Sequence, residues 1–170
     1  MKKVLIVVDM QNDFCTGSLS NKTACDVSAN IAKLIKQARD NGMSVIYTRD
    51  THDSDYLTTM EGKKLPVVHC VKGTDGWNII DSLKPLPSDT IIDKKHFGYD
   101  DWQSLISPGD EVWMCGTCTD ICVVSNALII KAIDNVSVTV FENCCAGTTV
   151  DNHDAAIQVM RMCQCEIENV

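Results

Sequence analysis

The sequence has few aromatic residues, few prolines and no long hydrophobic run. Aromatic side chains make up 5% of its 170 residues, and only 4 residues are proline. No apolar stretch approaches the ~20 residues that a membrane-spanning helix needs. The first apolar run, Val4 to Val8, is followed at once by Asp9 and is too short for a secretory signal peptide. These absences argue against a membrane or secreted protein, and we expect a soluble protein of the cytoplasm.

Positive charge is also scarce and is nowhere concentrated. The chain has 15 Lys and Arg residues against 23 Asp and Glu, a net charge of -8, and it contains no block of basic residues. A protein of this charge is a poor partner for nucleic acid or for an anionic membrane surface. We therefore expect a small-molecule substrate and a single domain, residues 1–170, that is large enough for a three-layer core.

Cysteine, by contrast, is abundant, with 10 residues. In a cytosolic protein we expect these to be free thiols, because the reducing environment opposes disulfides. Cys115 and Cys118 have the spacing of a thioredoxin-like redox pair. However, Cys115 ends an apolar run that is typical of a buried strand, so a redox role for this pair is the weaker interpretation.

Hydrophobic periodicity predicts alternating strands and helices. Short apolar runs indicate six strands, at Val4–Val8, Ser44–Thr48, Thr90–Asp93, Val112–Cys115, Val136–Phe141 and Cys165–Val170. Apolar residues recur at helical spacing in three segments, namely Val27–Ala38, Val123–Ile130 and Val150–Met162. The pattern predicts an α/β fold with a doubly wound, mainly parallel six-stranded sheet that helices cover on both faces, which gives three layers.

Chemically reactive side chains follow four of these strands. Asp9 comes directly after the first strand, Asp50 and His52 after the second, and Lys94 after the third. The fourth strand leads through a glycine turn to Cys122, at the start of a helix. Ligands of doubly wound sheets bind beyond the carboxyl ends of the strands. We therefore expect these five side chains to lie at one edge of the sheet and to form a site.

Asp9, Lys94 and Cys122 have the chemistry of a nucleophile and its activating groups. If Thr119 caps the helix, Cys122 lies in the first turn, where free N–H groups and the helix dipole favour a thiolate. Asp9 can then accept the thiol proton, and Lys94 can stabilise both anions. The backbone N–H groups of Cys118 and Cys122 can bind an oxyanion. The simpler alternatives are a buried structural cysteine and a structural Asp9–Lys94 ion pair.

A second group of residues has the donors of a metal site: Asp50, His52, Glu61 and His69. Residues two apart on an extended chain point the same way, so Asp50 and His52 can reach one ion. The long segment from Arg49 to Gly76 has little periodicity, as is usual for functional loops. We expect this loop to bring Glu61 and His69 back to the same ion. Mixed imidazole and carboxylate ligands suit one divalent ion, zinc foremost, or else iron or manganese.

Two segments resemble the motifs of the isochorismatase-like cysteine hydrolases, and the resemblance spans nearly the whole chain. Asp9-Met10-Gln11-Asn12-Asp13-Phe14 resembles their opening motif, and Gly116-Thr117-Cys118-Thr119-Asp120-Ile121-Cys122-Val123 resembles their nucleophile motif. Within this superfamily, Thr48–His52 and Pro66–Thr74 resemble the metal-binding segments of the nicotinamidases. Isochorismatases proper and the carbamoylsarcosine and ureidoacrylate hydrolases lack that metal site, and isochorismatases also lack the cysteine.

The resemblance implies the isochorismatase-like fold and the metal-dependent hydrolysis of nicotinamide to nicotinate and ammonia, in NAD salvage. It implies that Asp9 is the base, Lys94 its partner and Cys122 the nucleophile. It implies that the metal ligands are Asp50, His52, Glu61 and His69. The nucleophile turn of the family contains a cis peptide, which here would join Thr117 to Cys118.

The sequence departs from the family pattern in two places. It lacks the extra histidine ligand that other members have, which would fall between His52 and Glu61. The lysine segment reads Asp93-Lys94-Lys95-His96-Phe97, so Lys95 is the alternative to Lys94.

Further expectations concern the substrate ring, competing functions and assembly. We expect Phe14, with Phe97 or Tyr99, to pack against the ring of the substrate. The competing functions are a metal-free cysteine amidohydrolase acting on another small amide, and a non-catalytic metal-binding or thiol-redox module. Trp102, Trp113 and the apolar faces permit a homo-oligomer without specifying one.

Overall fold

The centre of the structure, a computed structural model that describes all of residues 1–170, is a six-stranded sheet. Its strands are β1 Lys3–Val8, β2 Ser44–Asp50, β3 Thr90–Lys94, β4 Glu111–Thr117, β5 Ser137–Ala146 and β6 Glu166–Glu168. The spatial order is β3-β2-β1-β4-β5-β6, and every neighbouring pair is parallel. The six predicted strands are confirmed, and the sheet is wholly rather than mainly parallel.

Helices cover both faces of this sheet. They are α1 Asn12–Cys15, α2 Lys22–Asp26, α3 Ser28–Asp40, α4 Met60–Lys64, α5 Val124–Lys131 and α6 Val150–Met162. Helix α3 packs against β1 and β2, whereas α5 and α6 pack against each other and against β5 and β6 respectively. Every residue of Val4–Val8 is fully buried, as a strand covered on both faces must be. The predicted doubly wound α/β fold is confirmed. No helix is both long and apolar enough to cross a membrane.

The strand order opens a crevice between β1 and β4. After β1 the chain continues to β2 on one side, and after β3 it crosses to β4 on the other side of β1. Because the connections leave β1 and β4 in opposite directions, a cleft forms beyond their carboxyl ends. Asp9 directly follows β1, and the turn that carries Cys122 directly follows β4.

Gly116 allows the ends of β1 and β4 to approach closely. Its φ is 127°, and a Cβ at this position would lie 2.1 Å from the carbonyl oxygen of Val8. Only glycine tolerates both conditions. The next peptide but one, Thr117–Cys118, is cis, as the family resemblance implied.

Candidate active site

Cys122 lies in a single π-helical turn, Thr119–Val123, between β4 and α5. The N–H of Val123 donates to the carbonyl of Cys118, five residues back, at 3.0 Å. Such turns are frequent at functional sites. The turn begins after Cys118, which is therefore its N-cap residue. The Thr119 hydroxyl caps no backbone N–H and instead lies 2.8 Å from Nδ1 of His153. The predicted Thr119 cap is therefore wrong, and Cys122 is the fourth residue of the turn.

The side chains of Asp9, Lys94 and Cys122 meet beneath this turn. Nζ of Lys94 lies 2.6 Å from Oδ2 of Asp9 and 3.6 Å from Sγ of Cys122. All three residues are buried. The backbone of Asp9 is left-handed, with φ at 50°, and the hydroxyl of Thr48 donates to Asp9 Oδ1 at 2.6 Å. Oδ2 of Asp9 pairs with Nζ of Lys94, and this carboxylate oxygen has a second lone pair that can take the thiol proton.

Burial and charge shift the pKa values of these groups. Burial raises the pKa of the Cys122 thiol well above its ordinary value, and the charge of Lys94 offsets this only in part. Burial alone would lower the pKa of Lys94, but the charges of Asp9, Cys122 and Asp50 raise it well above its ordinary value. Burial also raises the pKa of Asp9. These shifts favour a protonated thiol on Cys122 beside an ammonium group on Lys94, whereas the helix dipole predicted a thiolate.

The two candidate lysines differ in environment. The side chain of Lys94 is 1% exposed, whereas that of Lys95 is 69% exposed and pairs with Asp53 at 3.2 Å. Because successive residues of a strand point to opposite sides, only one of them can face the cysteine. The structure brings Lys94 to Cys122 and leaves Lys95 at the surface.

The four predicted metal donors also converge, beside Lys94. One donor atom from each residue lies within 4.8 Å of the other three, in Asp50, His52, Glu61 and His69. Oδ2 of Asp50 lies 3.0 Å from Nε2 of His52 and 3.5 Å from Nε2 of His69. Oε1 of Glu61 lies 3.8 Å from both of these nitrogen atoms. A parallel β-bridge between His52 and Val71 holds the segment that contains His69 next to the segment that contains His52.

The donor set fits a divalent cation. Nδ1 of His69 lies 2.8 Å from the carbonyl of Val67, a contact that a protonated Nδ1 satisfies, so in the neutral ring Nε2 presents its lone pair. That lone pair faces the carboxylate oxygens of Asp50 and Glu61, and acceptors that face acceptors need a cation or a proton between them. Burial alone would lower the pKa of His69, but Asp50 and the Val67 carbonyl raise it. Zinc, iron and manganese all suit this mixture of donors.

Three supporting residues were missed as site components by the sequence analysis. The amide of Gln11 accepts from the Asp50 N–H at 2.7 Å and donates to the Asp50 carbonyl at 2.9 Å. Oδ2 of Asp13 accepts from the N–H of Cys70, next to His69, at 2.7 Å. The ring of Tyr56 packs against both histidines, with centroids 4.5 and 4.9 Å away. Gln11 and Asp13 lie within the opening motif Asp9–Phe14, and that motif could have indicated their role. No feature of the sequence indicated that Tyr56 packs against the histidines.

One cavity of about 560 Å³ connects the cysteine and the metal donors. The residues predicted for the site that line it are Phe14, Asp50, Glu61, His69, Phe97, Cys118 and Cys122. The backbone N–H of Cys118 has no hydrogen-bond partner and is free to bind an oxyanion.

Tyr99 does not line this cavity, so the structure corrects its predicted contact with the substrate. Its ring packs edge-on against Trp102, with the centroids 5.2 Å apart. Trp102 is itself fully buried in the core and cannot form the oligomer contact that the sequence permitted. Aromatic pairs of this geometry stabilise a core, and that is the role in which the structure places Tyr99.

Comparisons with known proteins concern the sequence family and the fold. The sequence profile of the isochorismatase domain matches residues 3–169. A nicotinamidase/pyrazinamidase of Mycobacterium tuberculosis is 28% identical over 97% of each chain. A ureidoacrylate amidohydrolase of Cronobacter sakazakii is 30% identical over 56% of this chain, which spans about half (52%) of that relative. The crystal structure of a pyrazinamidase of Pyrococcus horikoshii in complex with zinc shares the fold, with a TM-score of 0.85, 22% identity and 100% coverage of both chains.

Proposed function

Because the chain belongs to the isochorismatase family, we propose that it is a metal-dependent nicotinamidase, which hydrolyses nicotinamide to nicotinate and ammonia for NAD salvage. The observation that carries the proposal is the side-by-side arrangement of two clusters in one cavity. Oδ1 of Asp50 lies 3.3 Å from Nζ of Lys94, so the metal donors and the cysteine cluster are in direct contact. A substrate that fills such a site needs one group for each cluster, and nicotinamide has a ring nitrogen and a carboxamide.

The reaction begins with the attack of the Cys122 sulfur on the carboxamide carbon, while Asp9 takes the thiol proton. Lys94 remains charged throughout and stabilises Asp9 and the developing thiolate in turn. The carbonyl electron pair moves to the oxygen, where the N–H groups of Cys118 and Cys122 stabilise the negative charge. Collapse of this adduct breaks the C–N bond, and Asp9 returns its proton to the departing ammonia. The product of this half-reaction is a thioester on Cys122.

Water completes the cycle by attacking the thioester carbon. Asp9, now ionised, takes a proton from this water, and the C–S bond breaks as nicotinate forms. Asp9 returns this proton to the sulfur of Cys122, which restores the resting thiol, and the second proton of the water leaves to solvent as the acid ionises to nicotinate. The burial that raises the pKa of this thiol also makes the neutral form the stable resting state.

Substrate binding falls to the neighbouring cluster of metal donors. Asp50, His52, Glu61 and His69 would hold the divalent ion, which would act as a Lewis acid that attracts the ring nitrogen of the substrate. Phe14 and Phe97 line the same cavity and offer apolar surfaces to the ring. Holding the ring in this way places the carboxamide at Cys122, which is the positional contribution to catalysis.

An ammonia-release assay on purified protein tests the proposal. We expect turnover of nicotinamide, loss of that turnover after chelation and dialysis, and its recovery on addition of zinc, iron or manganese. Benzamide has the same shape but lacks the ring nitrogen, so it serves as the matched substrate control. Equal rates for benzamide and nicotinamide would contradict the role given to the metal donors.

Two competing functions are separated by the same assay. The ureidoacrylate relative makes a metal-free amidohydrolase the nearest alternative, and that function predicts release of ammonia from ureidoacrylate that a chelator does not affect. A non-catalytic metal or thiol module predicts no ammonia from any amide. The cluster of four donors beside Cys122 favours the nicotinamidase over both.

A further inference from the structure

Asn126, on the first turn of α5, is fully buried and uses all of its hydrogen-bonding capacity. Its Nδ2 donates to the carbonyl of Cys122 at 2.7 Å and to the carbonyl of Phe97 at 3.1 Å. Its Oδ1 accepts from the N–H of Tyr99 and from Nε1–H of Trp102, both at 2.8 Å. A side-chain amide has two N–H donors and two acceptor lone pairs, so every position is filled.

The loop that carries Phe97 depends on this amide. Residues 95–100 make no backbone–backbone hydrogen bond, although the loop lines the cavity. Its partly buried attachments are the His96 carbonyl, which accepts from Nζ of Lys94 at 3.2 Å, and the two bonds to Asn126. The only other polar tie is the exposed pair between Lys95 and Asp53. A loop with so few backbone bonds takes its position from the side chains that hold it.

The same amide also holds the nucleophile turn. The bond from Asn126 to the Cys122 carbonyl spans four residues, and the neighbouring Ser125 hydroxyl makes the equivalent bond to the Ile121 carbonyl at 2.6 Å. Both side chains therefore brace the turn, but only Asn126 also forms hydrogen bonds with the loop. Ser125 is for this reason a matched control.

We infer that Asn126 is a positioning residue that fixes the ring of Phe97 relative to the sulfur of Cys122, and so sets the affinity of the site for an aromatic acyl group. The inference rests on the proposed function only for the identity of that group. Asn126 touches neither the substrate nor the reacting atoms. It acts through the single amide that joins the loop carbonyl to the carbonyl of the nucleophile.

Two alkylating reagents test the placement of the Phe97 ring relative to the Cys122 sulfur, and neither requires turnover. Iodoacetamide and 3-(bromoacetyl)pyridine both react with a thiolate by displacement of halide, but only the second carries a ring. Mass spectrometry of the peptide that contains Cys122 gives each rate, and the ratio of the two rates reports how well the ring is placed. The variants are Asn126→Asp, which keeps the shape and the acceptor oxygen but replaces the NH2 donor with a second acceptor, Asn126→Ala, Phe97→Ala and Ser125→Ala.

Glutathione gives the intrinsic ratio of the two rates, and we expect the wild-type protein to prefer the pyridine reagent more strongly than glutathione does. The ratio should fall by about three- to tenfold in both Asn126 variants and in Phe97→Ala, the range that one aromatic contact contributes. Ser125→Ala should keep the wild-type ratio to within about twofold. In the Phe97→Ala background, Asn126→Asp should change the ratio no further, because two residues that act through one contact are not additive.

Several outcomes would overturn the inference. The wild-type protein could show no preference for the pyridine reagent beyond that of glutathione, or Phe97→Ala could leave the ratio of the two rates unchanged. Asn126→Asp could slow both reagents equally, or the effects of the two substitutions on the ratio could be additive in the double variant. If nicotinamide is a substrate, Asn126→Asp should also raise KM by a similar factor with kcat within about threefold. Failure of the proposed function leaves the alkylation ratio measurable, so the two failures are distinguishable.

Discussion

The carboxylate of Asp50 is shared between Lys94 and the metal donors. Its Oδ1 lies 3.3 Å from Nζ of Lys94, and its Oδ2 lies 3.0 Å from Nε2 of His52. Burial would raise the pKa of Asp50, but the neighbouring His52 and His69 and the charge of Lys94 lower it far below its ordinary value. A single ionised carboxylate therefore links the group that would hold the substrate ring to the group that would cleave the amide.

Removal of one histidine from the donor cluster should abolish tight metal binding. We expect wild-type protein to bind about one equivalent of zinc in a calorimetric titration. His52→Ala should lose more than about tenfold in zinc affinity, because loss of even a residue that only supports a metal ligand typically costs about 10- to 100-fold. His96→Ala is the control, because His96 is exposed and contributes no donor. Unchanged zinc affinity in His52→Ala would remove the metal site from the proposal.

Cys122→Ala should reduce ammonia release from nicotinamide to background, a loss of at least about 10³-fold, because no other thiol lies beside Lys94. Cys25→Ala is the control, since Cys25 is exposed and does not line the cavity. In quenched-flow mass spectrometry, the wild-type protein should carry the nicotinoyl group on the peptide containing Cys122. Retained turnover in Cys122→Ala would refute covalent catalysis at this residue.

The alkylation of Cys122 should depend on pH in a direction set by burial. The thiolate is the reactive form, and the pKa of this thiol is raised, so the rate should increase as pH rises and its midpoint should lie above the ordinary thiol value of about 8.5. Glutathione, alkylated under the same conditions, gives the reference midpoint. A midpoint for Cys122 below that of glutathione would indicate a preformed thiolate and contradict the burial argument.

Replacement of the buried lysine should destabilise the fold strongly. Lys94→Met leaves the buried carboxylates of Asp9 and Asp50 without their cation, which typically costs about 3–5 kcal/mol in the free energy of unfolding. Lys95→Met removes only an exposed pair with Asp53 and should change that free energy by less than about 1 kcal/mol. Urea denaturation measures both values. Similar values for the two variants would show that Lys94 is not the buried partner.

Two glycines provide a matched test of the close approach between β1 and β4. Gly116→Ala should lower the free energy of unfolding by more than about 3 kcal/mol, because the new methyl group would overlap the Val8 carbonyl at 2.1 Å. Gly109 also has a positive φ, of 87°, but a Cβ there meets no atom within 4 Å. Gly109→Ala should therefore cost only about 1 kcal/mol, the price of the backbone conformation. Equal losses would contradict the steric explanation.

Local patterns in the sequence were sufficient for the fold. The uninterrupted apolar run Val4–Val8 predicts a strand covered on both faces, and the structure buries all five residues. Alternation of such strands with amphipathic helices specifies a parallel sheet, whose carboxyl ends lie at one edge. The position of Asp9, Lys94 and Cys122 at or just beyond the carboxyl ends of their strands thus determined that they share an edge.

The tertiary structure decided what the residues at that edge contact. Lys94 and Lys95 are equivalent in sequence, and only the pairing of β3 with β2 turns Lys94 toward the cysteine. Tyr99 is a plausible ring contact in sequence, but the loop directs it to Trp102. Neither outcome is encoded locally, because each depends on partners far away in the chain. The sequence by itself determined the sheet and its reactive edge, since these follow from short-range periodicity. Protonation of the thiol, the choice of lysine and the role of Asn126 follow from burial and long-range contacts, which exist only in the folded chain.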